Sequence, residues 1–185
     1  HGTDYGVLFH DKNENAVVWA EGDYRVTVNK PGNASLATLW AKQTVNGKEH
    51  WGKRGSLNTF ESRKIVDGNA DNWLRIQEIS IEKEHRGKGL AKHLYNALLH
   101  QAAPDVRGIL SHVPSITNKR EVPALHAQLG AATSADGDFK MIYRPAKNDG
   151  NPFDVREAAT TPLKPGGQFS LDDADIRYSA ADNWQ

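Results

Sequence analysis

The chain has 185 residues, a length suited to one domain of ordinary size with some further chain. Its 23 basic and 23 acidic side chains cancel, which argues against a protein built to bind a polyanion such as duplex nucleic acid. There are no cysteines, so disulfides, thiolate catalysis and cysteine–zinc sites are excluded, and no apolar run reaches the roughly 18 residues of a membrane span. We therefore expect a cytoplasmic protein that binds neither membranes nor nucleic acid.

The first part of the chain predicts β-strands. Residues 24–28 alternate and are β-branched, which favours a strand. Residues 35–45 and 50–60 are predicted to be two strands joined at Asn46-Gly47, because this dipeptide is the strongest short hairpin signal. Residues 67–72 are rich in Asp, Asn and Gly and predict a loop.

A third strand is predicted over residues 73–81, where side chains alternate between two faces. One face is expected to hold Leu74, Ile76, Glu78 and Ser80, and the other Trp73, Ile79 and Ile81. This interpretation places one carboxylate among apolar neighbours.

Helical spacing of leucines and alanines predicts a helix over residues 90–100. The polar residues of this helix are expected to face solvent: Lys92, His93, Asn96 and His100. Further elements are predicted in the order strand, short helix and strand, at residues 106–113, 122–129 and 139–143.

The composition changes after Pro145, where periodicity ends and Pro, Gly and Asp become frequent. We expect a domain at residues 1–145 and a tail or linker at 146–185. The chain begins with His1-Gly2-Thr3 and its one methionine is Met141, so we expect a processed or excised piece of a longer polypeptide.

The run Arg86-Gly87-Lys88-Gly89-Leu90-Ala91 lies between the third strand and the first helix. Glycines let the backbone turn sharply and approach a ligand, and the first amides of a helix attract anions such as a pyrophosphate. The alternative is a connecting turn with solvated basic side chains. Two other phosphate motifs are excluded, because no Walker sequence is present and Lys92 stands where a dinucleotide fingerprint needs its third glycine.

The same run resembles the acyl-CoA signature Arg/Gln-x-x-Gly-x-Gly/Ala of the GCN5-related N-acetyltransferases (GNAT). The preceding Ile79-Ser80-Ile81 resembles the family's fourth strand, and residues 124–131 resemble its later helix. The resemblance covers residues 74–144 and implies an α/β fold, an acyl-CoA N-acyltransferase-like mixed central sheet flanked by helices on both sides.

The resemblance also implies that acetyl-CoA lies between two parting strands, and that an amine of a protein or small molecule attacks it directly. The implied cofactor contacts are Ile79, Ser80, Ile81, Arg86, Gly87, Lys88, Gly89, Leu90, Ala91, Lys92 and Asn118. No metal is expected, because the calcium-like spacing of residues 67–78 lacks the required glycine and leads into a strand.

Three residues are candidates for the proton transfers that amine acylation needs. Glu78 is the first candidate base, and His112 is the competing one. His126 stands where the family often has an acidic tyrosine, so it is the candidate acid. The structural alternatives are a solvent-facing or Arg-paired carboxylate and a half-buried strand histidine.

Two further expectations concern the ends of the resemblance. The family's first two helices have no counterpart between Val28 and Ser35, so the substrate-side wall is expected from the hairpin at Asn46-Gly47. The tail and the opening residues resemble bacteriophage and prophage multidomain polypeptides, which suggests a phage-related domain in a bacterial host cell. The rival function is a non-catalytic GNAT-fold module that binds CoA or a protein partner.

Overall fold

The structure is a computed structural model that describes residues 5–116 and 120–144. The expectations for Asn118 and for the tail at 146–185 therefore lie outside the described residues. The strands are β1 (Phe9–His10), β2 (Ala16–Glu21), β3 (Tyr24–Asn29), β4 (Ala34–Val45), β5 (Lys48–Val66), β6 (Asn69–Ile81), β7 (Val106–His112), β8 (Ala132–Thr133) and β9 (Phe139–Tyr143). The helices are α1 (Ala91–Gln101) and α2 (Glu121–Gln128).

The nine strands of the described residues form a single sheet in the order β1-β2-β3-β4-β5-β6-β7-β9-β8. Neighbouring strands are antiparallel except for β6 and β7, which are parallel and are connected through α1. A parallel pair needs such a crossover, whereas the consecutive antiparallel strands from β2 to β6 are joined by short turns. The predicted mixed α/β sheet is confirmed.

The main core lies on one face of this sheet. Both α1 and α2 contribute to it, through residues such as Leu94, Leu98 and Leu125, and pack against strand residues such as Leu57 and Ile79. The expectation of helices on both sides is therefore wrong for the described residues: α1 and α2 cover one face, and the opposite face carries no described helix. We call these the covered face and the open face.

The hairpin predicted at Asn46-Gly47 is confirmed. Both residues have positive φ, 52° and 75°, as the twist of a two-residue hairpin requires. β3 and β4 are joined directly at residues 30–33, so the expected absence of two helices in this region is also confirmed.

The prediction of a loop over residues 67–72 is wrong for most of its length. Only Asp67 and Gly68 form the turn, both with positive φ, and β6 begins at Asn69. The polar residues that suggested a loop pair with β5 from Asn69↔Val66 to Asn72↔Arg63. Long-range pairing with β5 overrides their low strand propensity.

The predicted facing of β6 is wrong at its carboxyl end, because the strand contains a β-bulge. Asn58 of β5 pairs with Glu78 and Thr59 pairs with Ile76, which leaves Gln77 as the extra residue. A bulge shifts the alternation by one. Leu74, Ile76, Ile79 and Ile81 consequently share the covered face, since all four belong to the main core. Glu78 and Ser80 turn to the open face.

The polar side of α1 is less exposed than predicted. Asn96 is buried and donates a hydrogen bond to the Tyr5 hydroxyl oxygen at 3.1 Å. His93 stacks on Trp19 with ring centroids 3.9 Å apart, and its Nδ1 lies 2.9 Å from the same Tyr5 hydroxyl. Burial, and to a smaller extent the charge of Lys92, lowers the pKa of His93 to about 4. Tyr5 thus covers this side of α1.

Candidate functional site

The most distinctive feature of the sheet is the place where β6 and β7 part. Their parallel register runs from Asn72↔Val106 to Arg75↔Leu110 and then ends. β6 continues for six residues, to Ile81, while β7 ends at His112. Residues 76–81 pair with β5 on one side only, so on the other side this part of the described sheet has an open edge. Main-chain groups at such an edge are available to a ligand.

The glycine loop between β6 and α1 lies at the end of this open edge. Gly87 and Gly89 have φ of 74° and 71°, a conformation that favours glycine over other residues. A Cβ added at Gly87 would meet no atom within 4 Å, so the loop leaves open space at this point. The two glycines turn the chain into α1 while its backbone stays accessible.

The N-terminus of α1 has the character of an anion site. Leu90 at the N-cap offers no side-chain hydrogen bond, and the first turn contains no acidic residue. The first amides of the helix have no partner within the helix, and the helix dipole makes this end positive. Leu90 and Ala91 are themselves buried, so their main chain rather than their side chains could contact a ligand.

A hydrogen bond connects the glycine loop to the end of β6. Arg86 donates from Nε to the carbonyl oxygen of Ile81 at 2.7 Å. A 3-10 turn, Lys83–His85, joins the two residues. This contact holds the end of β6 and the start of the glycine loop in a defined relation, so the open edge and the helix N-terminus form a continuous surface.

Basic side chains lie beside the loop. Lys88 lies 3.4 Å from the hydroxyl oxygen of Tyr24, which is 2.8 Å from Nδ1 of His85. The pKa of His85 is lowered, first by burial and then by the charges of Arg54 and Lys88. The lowered pKa favours a neutral imidazole beside Lys88, and the basic side chains at the loop suit a polyanionic ligand.

Glu78 lies on the open face beside the open edge. It is half-buried, directly follows the bulge at Gln77 and is paired with Asn58. The structural alternative of an ion pair with Arg75 or Arg107 does not occur, since Arg107 pairs with Asp71 at 3.7 Å. No described residue forms a hydrogen bond or ion pair with the Glu78 carboxylate. A half-buried carboxylate with this freedom is suited to accept a proton from a ligand.

His112 lies across the gap on the same face. Leu110 is the register partner of Arg75 on the open face, and His112 follows two residues later, so it also faces that side. Its Nδ1 is 2.7 Å from Oγ of Ser115, and its ring packs against Phe139 at 5.3 Å. The structure therefore brings both candidate bases to one side of the parting strands.

His126 is placed elsewhere. It has no exposed surface and lies with α2 on the covered face, where its Nε2 is 3.1 Å from the Tyr95 hydroxyl. Burial, followed by the charge of Lys140, lowers the pKa of His126 to about 3. A neutral and enclosed imidazole is poorly suited to protonate a leaving group. The contact with Tyr95 indicates that His126 belongs to the core.

Two features of the site were not predicted from the sequence. The bulge at Gln77 turns Glu78 to the open face, but a polar residue in an alternating strand gives no local signal of a bulge. Ser115 orients the His112 ring, and a Pro in the 3-10 turn Val113–Ser115 is the sequence signal that the chain turns back there.

Comparison with known proteins agrees with this geometry. The model of the acetyltransferase (GNAT) family matches residues 49–130, a stretch that includes the bulge, the glycine loop and all three candidate proton-transfer residues. The match begins earlier than the predicted resemblance and ends before its limit at residue 144. No curated protein and no solved structure matches the chain. The suggested likeness of the tail to phage polypeptides has no support.

The described residues contain no helix long and apolar enough to cross a membrane.

Proposed function

We propose that this chain transfers the acetyl group of acetyl-CoA to an amine of a protein or small molecule. The observation that carries the proposal is the parting of β6 and β7 beside a glycine loop that opens α1. The GNAT family match over residues 49–130 supports the same conclusion independently of the geometry.

The residues present fit acetyl-CoA. The open edge of β6 at Ile79, Ser80 and Ile81 offers main-chain groups to the pantetheine arm. The loop from Arg86 to Lys92 offers backbone amides, two glycines of positive φ and basic side chains to the pyrophosphate. When bound, acetyl-CoA supplies an activated thioester.

Glu78 is the proposed general base. An amine is mostly protonated at neutral pH, and it becomes a nucleophile only after losing that proton. The Glu78 carboxylate is half-buried and has no described hydrogen-bond or ion-pair partner, so it can accept the proton at the open edge of β6. No cysteine is available to carry the acetyl group, which favours direct transfer to the amine.

His112 is the second candidate, acting on the same face with Ser115 orienting its ring. We assign His126 a packing role, since its burial and its pKa of about 3 keep it neutral and enclosed. In this proposal the departing thiolate takes its proton from solvent or from the acceptor amine.

The proposal is tested by incubating the chain with acetyl-CoA and candidate amines and measuring acetylation by mass spectrometry. Glu78→Gln keeps the shape of the side chain but cannot accept the proton. Turnover should fall about 10²- to 10⁴-fold, the usual contribution of a positioned base, and the residual rate should rise with pH as the amine deprotonates in solution.

Glu61→Gln is the matched control, because Glu61 is an exposed carboxylate on the neighbouring strand β5. It should leave turnover unchanged. Equal rates for Glu78→Gln and the parent protein from pH 6 to 9 would assign Glu78 a structural role and make His112 the base to test. CoA binding without transfer to any amine would instead indicate the non-catalytic binding module.

A further inference from the structure

A cavity of about 470 Å³ lies against the β4–β5 hairpin, away from the parting strands. Its walls come from β1, β3, β4, β5 and the turn after β1, and they include Phe9, Arg25, Trp40 and Trp51. The volume is within the range of small-molecule sites, as is the combination of aromatic walls with a few polar groups.

Arg25 is the central polar group of this cavity. It alternates with the core residue Val26, so its side chain is on the open face. Its guanidinium carbon is 3.5 Å from the centroid of the Trp51 ring and 5.5 Å from that of Phe9. This contact holds the guanidinium over the Trp51 ring without using its N–H groups.

Those N–H groups have no acceptor among the described residues, since no hydrogen bond or ion pair to the Arg25 side chain occurs in them. Trp40, by contrast, is held by a hydrogen bond from its indole nitrogen to Oγ1 of Thr27 at 2.8 Å. The cavity thus contains the half-buried, permanently charged guanidinium of Arg25, whose N–H donors are not used by the described residues. Aromatic rings lie beside it.

The ligand that fits this chemistry is an oxyanion. A planar guanidinium forms paired hydrogen bonds with a carboxylate or a phosphate. Asp11 and Glu49 also line the cavity, and both act electrostatically on Arg25. Two nearby carboxylates repel a doubly charged phosphate more than a singly charged carboxylate, which favours the carboxylate.

We propose that this cavity binds a monocarboxylate attached to a flat apolar group, with Arg25 holding the carboxylate and Trp40, Trp51 and Phe9 enclosing the apolar part. The site shares no lining residue with the open edge of β6 or with the glycine loop. The inference therefore stands independently of the proposed acetyl transfer.

The test uses three matched probes: 2-naphthoate, the uncharged 2-naphthamide and the dianionic 2-naphthyl phosphate. Binding is measured by calorimetry and by the indole N–H resonances of the ¹⁵N-labelled full chain, with those of Trp40 and Trp51 assigned from single Trp→Phe variants. We expect 2-naphthoate to bind at least tenfold more tightly than the amide, and more tightly than the phosphate, with shifts at Trp40 and Trp51.

Arg25→Gln should weaken 2-naphthoate binding about tenfold or more, as expected for loss of hydrogen bonds to a charged group. Arg63→Gln, an exposed arginine of β5 outside the cavity, is the matched control and should bind like the parent. A thermal transition measured for each variant establishes that it is folded.

Glu49→Gln is a second test that leaves Arg25 in place. Glu49 is exposed, so its substitution should not affect folding. It should strengthen phosphate binding more than carboxylate binding. The proposal is overturned if the amide binds as tightly as 2-naphthoate, if the phosphate binds most tightly to the parent protein, or if a folded Arg25→Gln variant binds 2-naphthoate without loss.

Discussion

The two halves of β6 differ in their neighbouring strands and have opposite roles. From Asn69 to Asn72 and on to Arg75, the strand pairs with β5 and the later part also pairs with β7. From Ile76 to Ile81 it pairs with β5 alone. Both halves place apolar side chains in the main core, Leu74 in the first half and Ile79 and Ile81 in the second, so contact with the core does not separate them. The difference comes from the neighbour, because the pairing of β6 with β7 ends at Arg75↔Leu110.

This comparison shows where a parallel pair of strands in a mixed sheet can provide a ligand site. A backbone group within a sheet is already satisfied, whereas one at an open edge must pair with water or a ligand. The bulge at Gln77 adds a second difference, since it turns Glu78 toward the open face just where the pairing with β7 has ended. The paired half stabilises the sheet, and the open half is available for chemistry.

The largest expected effect comes from breaking the loop that extends the open half. Gly89→Val places a branched side chain at a φ of 71°, a conformation that strongly disfavours it, beside the anion site. The parent protein should bind CoA with a dissociation constant in the micromolar range, about −8 kcal/mol, and the variant should show no binding by calorimetry.

Gly68→Val is the matched control for this substitution. Gly68 also has positive φ, 81°, but lies in the β5–β6 turn, at the end of β6 opposite to the glycine loop. Both variants should lose stability, and only Gly89→Val should lose CoA. Equal CoA affinity in the parent protein and in Gly89→Val would show that the glycine loop does not bind CoA.

A smaller effect is expected on the β7 side of the gap. If Glu78 is the base, His112→Gln should reduce turnover less than about tenfold, because it removes a neighbour of the reaction rather than the proton acceptor. Side-by-side turnover measurements of His112→Gln and Glu78→Gln decide between them. A loss of 10²-fold or more in His112→Gln alone would reverse the assignment.

His126 on the covered face should affect stability rather than turnover. Its pKa is about 3 in the folded chain and near its ordinary value of 6.5 in the unfolded chain, so below pH 6.5 the unfolded state binds the extra proton. The resulting stability is present above pH 6.5 and is lost as the pH falls, with a slope of about 1.4 kcal/mol per pH unit.

His126→Phe removes the titrating imidazole, so its contribution to the pH dependence of the free energy of unfolding is lost. It also leaves the Tyr95 hydroxyl without its His126 partner. We expect a loss of about 1–3 kcal/mol at pH 7.5 that narrows as the pH approaches 5. Denaturant unfolding across this pH range measures it, with His50→Gln, an exposed position, as the control. A pH dependence identical to that of the parent would show that the folded chain does not keep this imidazole neutral.

The smallest effect is expected from removing the residues after Pro145. The sequence there lacks apolar periodicity, so truncation should change the free energy of unfolding by no more than about 1 kcal/mol. Thermal and denaturant unfolding measures the free energy of unfolding of the full chain and of the truncated chain. A much larger loss would mean that aromatic residues of this stretch, such as Phe153 or Trp184, pack on the domain.

The features predicted well are those set by local chemistry. Asn46-Gly47 specifies its hairpin, and the apolar spacing around Leu94 and Leu98 specifies α1. The two glycines of the loop identify its turn because each has positive φ. In these places the residue type and the local backbone conformation determine one another, so the sequence alone is sufficient.

The features predicted wrongly depend on partners distant in sequence. Gln77 forms a bulge because of its register with β5, and Asn96 is buried because Tyr5 packs over α1. His126 resembles a site residue in its motif, yet its contact with Tyr95 encloses it. No local pattern encodes these contacts, and they decide which polar residues face the open site.

The most direct test of the account follows the backbone amides of the ¹⁵N-labelled chain during titration with CoA. We expect the amide resonances of residues 78–81 and 87–92 to shift, and those of residues 69–73 to stay unchanged. Saturable shifts confined to the open half of β6 and the glycine loop are the predicted result. Shifts centred on the paired half, or no saturable shift at all, would contradict the claim that the parting of β6 and β7 forms the acyl-CoA site.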